Sequence, residues 1–279
     1  MPRRGARRAL DRVKVTVLGS GSKGNALVVE CEDDRILVDA GFPARTLVAR
    51  LRAARIAPES ISALILTHEH NDHVVGARVA AKRFGWTVYA TAGTIEEVPR
   101  LKEVSPIPIT PRESLALDTM RVSCLRVPHD GLDPVALTVE SRATGARLGV
   151  AYDIGHVTPT LEHALQDLDA LVLESNHDTD MLRYGPYPPS LKRRIAGGRG
   201  HLSNEAAARL AASVAHRGLR HVVLAHLSEQ NNAPDVARRT VGIALRRTPY
   251  DGTLTVASQD GVVRFGVARA PRVEQIDLF

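Results

Sequence analysis

Thr67 to His73 reads T-H-E-H-N-D-H and packs His68, His70, Asp72 and His73 into one short turn. Neutral imidazoles and a carboxylate are the usual ligands of Zn, Mn or Fe, and residues two apart on an extended loop point to one side. The turn follows an apolar run, Ala63 to Leu66, that reads as a short buried strand. The cluster therefore sits beyond a strand's carboxyl end, where α/β sheets place their chemistry. The bland alternative is a solvated polar loop or a tract of capping residues, and three His with one Asp in so few positions speak against it.

A site holding two ions needs about seven or eight protein ligands, so the cluster requires partners from other strand ends. His129 in V-P-H-D, Asp153 in A-Y-D-I-G-H and His226 in V-V-L-A-H-L-S each follow an apolar strand-like run. A single His or Asp at such a place more often caps a turn. Their joint recurrence there favours the metal reading.

The elements that must position these groups are short. Strand-like runs open the chain at Val13 to Leu18, Ala26 to Cys31 and Arg35 to Asp39. A helical pattern from Pro43 to Arg55, the strand before the cluster, a helix from Val74 to Phe84 and a strand at Thr87 to Tyr89 follow. Pro99, Pro106, Pro108 and Pro111 predict a connecting stretch or edge strands. The second half repeats the scheme. Strands are expected near Arg121 to Val127, Pro134 to Glu140 and Arg147 to Tyr152, then a helix from Thr158 to Leu168 and a strand at Ala170 to Leu173. A helix with Ser203 as N-cap precedes the strand His221 to Ala225, and a last helix and strand close the chain. Such a repeat suits two facing sheets with helices on both outer faces. With no linker-like tract between the halves, one domain is expected.

Composition narrows the class. At 279 residues with 44% apolar residues, the chain can bury a substantial core. The formal charge of +6 suits an anionic partner such as nucleic acid, but 32 of the 37 basic residues are Arg spread along the chain, so charge argues only weakly. Cys31 and Cys124 sit in separate apolar runs and read as buried reduced thiols, as in a reducing cytosol. No apolar run approaches the roughly 18 residues of a membrane span, and the basic start has no apolar segment after it. A soluble cytoplasmic protein without a membrane partner is expected.

With these residues in place, the chain resembles the metallo-β-lactamase-fold hydrolases, whose H-x-H-x-D-H motif stands here as His68, His70, Asp72 and His73. More narrowly, G-S-G-S-K-G-N at 19–25, V-D-A-G at 38–41, E-S-N-H-D at 174–178, G-P-Y-P at 185–188, G-H-L-S-N at 200–204 and L-A-H-L-S at 224–228 resemble the YycJ/WalJ nuclease branch. The resemblance implies an α/β fold, a metallo-β-lactamase-like αββα four-layer sandwich over residues 13–266. Residues 1–12 would form a basic disordered arm and 267–279 a C-terminal tail. It further implies two divalent metal ions, Zn or Mn, one on His68, His70 and His129, the other on Asp72, His73 and His226, with Asp153 bridging.

The implied activity is metal-dependent phosphodiester hydrolysis of DNA, as a 5′–3′ exonuclease on double-stranded DNA. A hydroxide held between two cations would attack phosphorus, and Asp72 could orient it. His201 is expected to protonate the departing sugar oxygen, with Glu174 orienting it; a place in a helix N-terminal cap box with Ser203 is the compatible alternative. His177, Ser203, Asn204, Lys192 and Arg193 are expected to touch substrate, the two cations as part of a basic cluster with Arg194. His156 is either an outer partner of Asp153 or merely packed. The Gly19 to Asn25 loop fails as a phosphate-binding P-loop, because Asn25 and Ala26 replace the required Lys and Ser/Thr. The same bimetal site could instead serve an ester, thioester or lactone hydrolase, or an RNA-processing nuclease. An iron oxygenase or an inactive nucleic-acid-binding scaffold is disfavoured by the complete ligand set.

Overall fold

The computed structural model describes residues 13–111 and 113–269. The proposed basic arm, 1–12, and residues 270–279 of the proposed C-terminal tail lie outside the described residues.

One sheet holds β1 (Val13–Gly19), β2 (Ala26–Cys31), β3 (Asp34–Val38), β4 (Ala63–Ile65), β5 (Thr87–Thr91), β6 (Ile107–Ile109) and β14 (Val263–Val267). The other holds β7 (Ser114–Ala116), β8 (Met120–Arg126), β9 (Val135–Ser141), β10 (Arg147–Ala151), β11 (Ala170–Glu174), β12 (His221–Ala225) and β13 (Thr253–Val256). The orders are β14-β1-β2-β3-β4-β5-β6 and β13-β12-β11-β10-β9-β8-β7. In each half an antiparallel meander gives way to parallel strands, from β3 to β6 and from β10 to β13.

Period-two alternation builds the layers, because successive side chains leave a strand on opposite faces. In β3, Ile36 and Val38 enter the core between the sheets while Leu37 meets the helices outside. In β11, Ala170 and Val172 point inward and Leu171 and Leu173 outward, and β12 repeats this with Val223 against Val222 and Leu224. Helices Ala44–Ala53 and Ala77–Phe84 cover the first sheet. Helices Pro159–Ala164, Asn204–Ser213 and Pro234–Leu245 cover the second. The result is the four-layer αββα sandwich. Each fully buried Leu or Ile contributes roughly 1.5–3 kcal/mol over exposure, and three such apolar layers hold the strand ends firmly. Cys31 and Cys124 are free and buried between the sheets, and burial pushes the Cys124 thiol up to about 12. Among the described residues no helix is long and apolar enough to cross a membrane.

Several elements depart from expectation. The helix expected over 74–84 is broken into Asn71–Val74 and Ala77–Phe84. Gly76 lies between them because a Cβ there would sit 2.1 Å from the Phe42 carbonyl oxygen. The helix expected over 158–168 stops at Ala164. The Pro-punctuated middle opens with a short 3-10 helix, Pro99–Val104, before edge strand β6. Helices Thr179–Tyr184 and Pro189–Ala196 have no counterpart in the sequence reading. The described residues end with two strands, β14 reaching Val267 in the opposite sheet from β13.

Candidate metal centre

The centre gathers at the carboxyl ends of the strands. Asp39, Asp153 and His226 follow β3, β10 and β12 with left-handed φ of 59°, 57° and 54°. Such a conformation costs a non-glycine residue roughly 1–3 kcal/mol and clusters at functional sites. Here it ends each strand sharply and directs a polar side chain toward the ends of its neighbours.

Two nests of donor atoms result. His68 Nε2 and His129 Nε2 lie 3.0 and 3.2 Å from His70 Nδ1. Asp72 Oδ2 lies 3.2 Å from His226 Nε2 and 3.4 Å from His73 Nε2. Asp153 stands between them, with Oδ2 3.0 Å from His73 Nε2 and Oδ1 3.7 Å from His129 Nε2. His68, His70 and His129 can offer one set of ligand atoms, Asp72, His73 and His226 another, and His68, His73 and Asp153 a set spanning both. The donor chemistry fits divalent cations. Converging ring nitrogens cannot all satisfy one another, and buried Asp153 Oδ2 has no hydrogen-bond partner despite the nearby His73 ring.

Charge compensation supports the same fit. Burial holds His68 well below the usual imidazole range. Burial alone would depress His226 too, yet the Asp153 carboxylate raises it to about 9. His73 is likewise driven upward against its burial, by Asp153 and Asp39. Protons thus offset the buried carboxylates of the bare protein, and divalent cations would take their place.

Outer contacts fix the rings. Buried Asp39 accepts from the Thr67 N–H at 2.8 Å, the Thr67 hydroxyl at 2.9 Å, the Tyr152 hydroxyl at 2.8 Å and His73 Nδ1 at 2.8 Å. This leaves His73 Nε2 for the centre, the usual work of an outer carboxylate. His129 Nδ1 donates to the Gly200 carbonyl at 2.9 Å. The 19–25 loop is a brace. Asn25 N–H donates to the Asp72 carbonyl, and the Ser20 hydroxyl bonds both the Asn25 side chain and the His226 N–H. Asp39, Tyr152 and Asn25 carried no assigned role in the sequence, although V-D-A-G and the Gly/Ser loop were visible motifs.

Gly41 meets this brace at close quarters, since a Cβ there would fall 1.7 Å from the Asp72 carbonyl oxygen. Gly41→Ala must therefore push the Asp72–His73 turn aside. We expect fewer bound ions by metal analysis and a loss of about 10²-fold in turnover, the usual effect of misplacing a reacting group by about 1 Å. Unchanged metal content would show that the turn yields without harm to the site.

Glu174, wholly buried at the end of β11, accepts from the N–H groups of Ile154 and Leu202 and lies 2.8 Å from His201 Nδ1. Burial would raise its carboxyl, but the His201 charge and hydrogen bond hold it down to about 2. Burial would equally lower His201, and Glu174 lifts it to about 10. Glu174 holds Nδ1, so Nε2 is the nitrogen left for substrate.

The remaining expected contacts divide. A cleft of about 380 Å³ opens over the centre, with Tyr187, Leu191, Arg194 and Ile195 in its walls. Lys192 and Arg193 are not among its lining residues. Helical periodicity brings positions 191, 194 and 195 to one face, so Arg194 is the member of the 192–194 basic cluster that lines the cleft. Lys192 Nζ is bound to the Arg183 carbonyl, and Arg193 is exposed. The wholly buried side chain of Asn204 is taken up by Ser175 and Asn232. Ser203 caps helix Asn204–Ser213 by accepting the Ala206 N–H. His177 is buried beside Ser203 in a separate cavity. His156 is exposed and bonds the Gly198 carbonyl. Asp130 was missed. It pairs with Arg194 at 2.5 Å, and its Oδ1 lies 3.3 Å from His129 Nε2.

Comparison with known proteins agrees with this architecture. Residues 34–227 match the family model described as Beta-lactamase superfamily domain. An exodeoxyribonuclease YycJ of Bacillus anthracis is 34% identical over 241 residues, covering 84% of this chain and 90% of that protein. The crystal structure of the metallo-β-lactamase-fold protein YhfI from Bacillus subtilis superposes with a TM-score of 0.70 at 19% identity, covering 91% of this chain and 100% of that one. The human short-form tRNase Z gives 0.63 at 18% identity, covering 90% and 98%. Strand-end His and Asp side chains, four layers and matched sequence together place the chain in the metallo-β-lactamase superfamily.

Proposed function

We propose that this chain is a metal-dependent phosphodiesterase acting on DNA, a 5′–3′ exonuclease on double-stranded DNA that works in the cytoplasm. The observation that carries the proposal is the ring of seven His and Asp side chains with the His201–Glu174 pair set against it. The relative named an exodeoxyribonuclease supports DNA as substrate, and the formal charge of +6 suits a polyanion. His68, His70 and His129 would hold one ion and Asp72, His73 and His226 the other, with Asp153 shared. The donor set suits Zn and Mn alike. Such a pair of cations supplies activated water at neutral pH and stabilises negative charge on phosphoryl oxygens.

The protein's own groups complete the reaction. Asp72, partly exposed to the cleft, orients the attacking water. Arg194, beside Asp130 at the mouth, meets a phosphate of the incoming strand. His201, held through Nδ1 by Glu174, gives a proton from Nε2 to the departing sugar oxygen.

The test uses end-labelled duplex and single-stranded DNA and RNA with and without Mn. Cleavage that survives Asp72→Ala would defeat the mechanism. Preference for RNA would move the substrate class, and turnover of a thioester without nucleic-acid cleavage would replace the reading. His201→Ala should cost about 10²–10⁴-fold on DNA, the usual worth of a positioned proton donor. Activated aryl phosphodiesters need no such proton and should lose far less. Equal losses on both would remove His201 from that role.

A further inference from the structure

A second cavity, of about 550 Å³, shares the His201 side chain with the metal cleft. It lies between helices Pro159–Ala164 and Asn204–Ser213, and its size falls in the range of roughly 300–1,000 Å³ that holds one small organic molecule. His177 in its wall is only 4% exposed, yet its Nδ1 has no hydrogen-bond partner among the described residues. A buried ring nitrogen left so calls for a partner that the described residues do not supply. The other walls are mixed. Val157 and Leu210 offer apolar surface, Glu162 an acceptor, and Arg209 a cation.

These groups match one nucleotide. Flat imidazole and aliphatic surface suits a base, a carboxylate and a ring nitrogen suit its polar edge and sugar, and a guanidinium suits a phosphate. Position along the reaction follows from His201 and rests on the proton-donor role proposed above. The departing oxygen must come within hydrogen-bond reach of that ring, so the leaving part of the substrate lies against His201.

We infer that this cavity holds the single nucleotide on the leaving side of the scissile bond, its 5′-phosphate toward Arg209. The phosphorus–O3′ bond breaks, the 3′-oxygen takes the His201 proton, and the oxygen of water joins phosphorus. The cavity then contains a nucleoside 5′-monophosphate, and the remaining strand carries a new 5′-phosphate. A pocket for one leaving residue shortens the strand one nucleotide at a time from its 5′ end.

Ala206 and Arg209 line the cavity outside the catalytic machinery, so Ala206→Trp fills it and Arg209→Glu reverses its charge. Thymidine 5′-monophosphate is the probe, measured by equilibrium dialysis, which needs no turnover. Both variants should bind it at least about tenfold more weakly and digest duplex DNA correspondingly slowly. Both should hydrolyse methyl p-nitrophenyl phosphate, which carries no nucleoside, at the wild-type rate. Equal binding of the monophosphate by wild type and both variants would overturn the inference. So would a wild-type digest of oligonucleotides without mononucleotides. Arg209 is exposed, so its variant keeps the test decisive if Ala206→Trp does not fold. Wild type that binds the monophosphate through Arg209 but leaves DNA intact would sink the nuclease reading and this leaving-side assignment together. Active DNA digestion with unchanged monophosphate binding would sink the cavity alone.

Discussion

Asp153→Asn should reduce retained Zn or Mn from about two equivalents to fewer than one. It should lower phosphodiester turnover by more than about 10³-fold, beyond the roughly 10–100-fold loss typical of an outer partner. Among the described residues Asp153 is the one carboxylate placed against both nests, 3.0 Å from His73 Nε2 and 3.7 Å from His129 Nε2. Asn is the informative replacement because it tolerates the left-handed backbone that position requires, so the change isolates charge from strain. Ala would mix the two. The same variant changes how the metal-free protein responds to pH. His226 is raised from 6.5 to about 9 by Asp153 first and by Asp72 and Glu174 besides, so its stabilisation is fully present below about pH 6.5 and is lost as pH rises through about 9. Removing the carboxylate makes that part of the profile shallower, because Asp72 and Glu174 still raise the ring. Metal analysis and thermal unfolding at pH 6 and 10 check both expectations. An Asp153→Asn protein that keeps two ions would end the bridging role.

Why some of this was legible in the sequence, and some not, follows from the reach of each contact. The T-H-E-H-N-D-H turn and the ligand-type residues after β8, β10 and β12 were readable because strand and ligand are adjacent along the chain. The layers were readable because alternation is a local pattern. Asp39 was not assigned, since its value lies in meeting Thr67, His73 and Tyr152, groups 28 to 113 residues away. Asn25 bracing Asp72 is the same case. Which of Lys192, Arg193 and Arg194 meets the cleft was not legible, because helix Pro189–Ala196 buries no residue and no apolar stripe reveals its inner face. Asn204 was assigned to substrate by its neighbours in G-H-L-S-N, but the helix that begins there turns its side chain into the protein. The split of the helix expected at 74–84 was hidden in Gly76, whose small size matters only against Phe42.

Asp39→Ala is expected to be the most destabilising single change around the centre. Four donors converge on this wholly buried carboxylate, and one belongs to a His73 ring that Asp39 helps keep protonated. Ala leaves them without an acceptor. Stripping one partner from a buried charged pair costs roughly 3–5 kcal/mol, a large share of the 5–15 kcal/mol that typically separates folded from unfolded chains. At roughly 2–4 °C per kcal/mol for a domain of this size, the melting temperature of the metal-free protein should fall by about 10 °C. Ion affinity should fall about 10–100-fold as the His73 ring loses its orientation. Tyr152→Phe is the control. It removes one neutral donor without stranding a charge, so it should cost only about 1 kcal/mol and leave metal binding near the wild-type value. Saturating Zn should restore part of the loss in Asp39→Ala, because ligands that bind only the native state stabilise it, whereas Tyr152→Phe has little to recover. If the two variants melted together and bound ions equally, Asp39 would be a packing residue, and the account of how His73 is aimed would have to be abandoned.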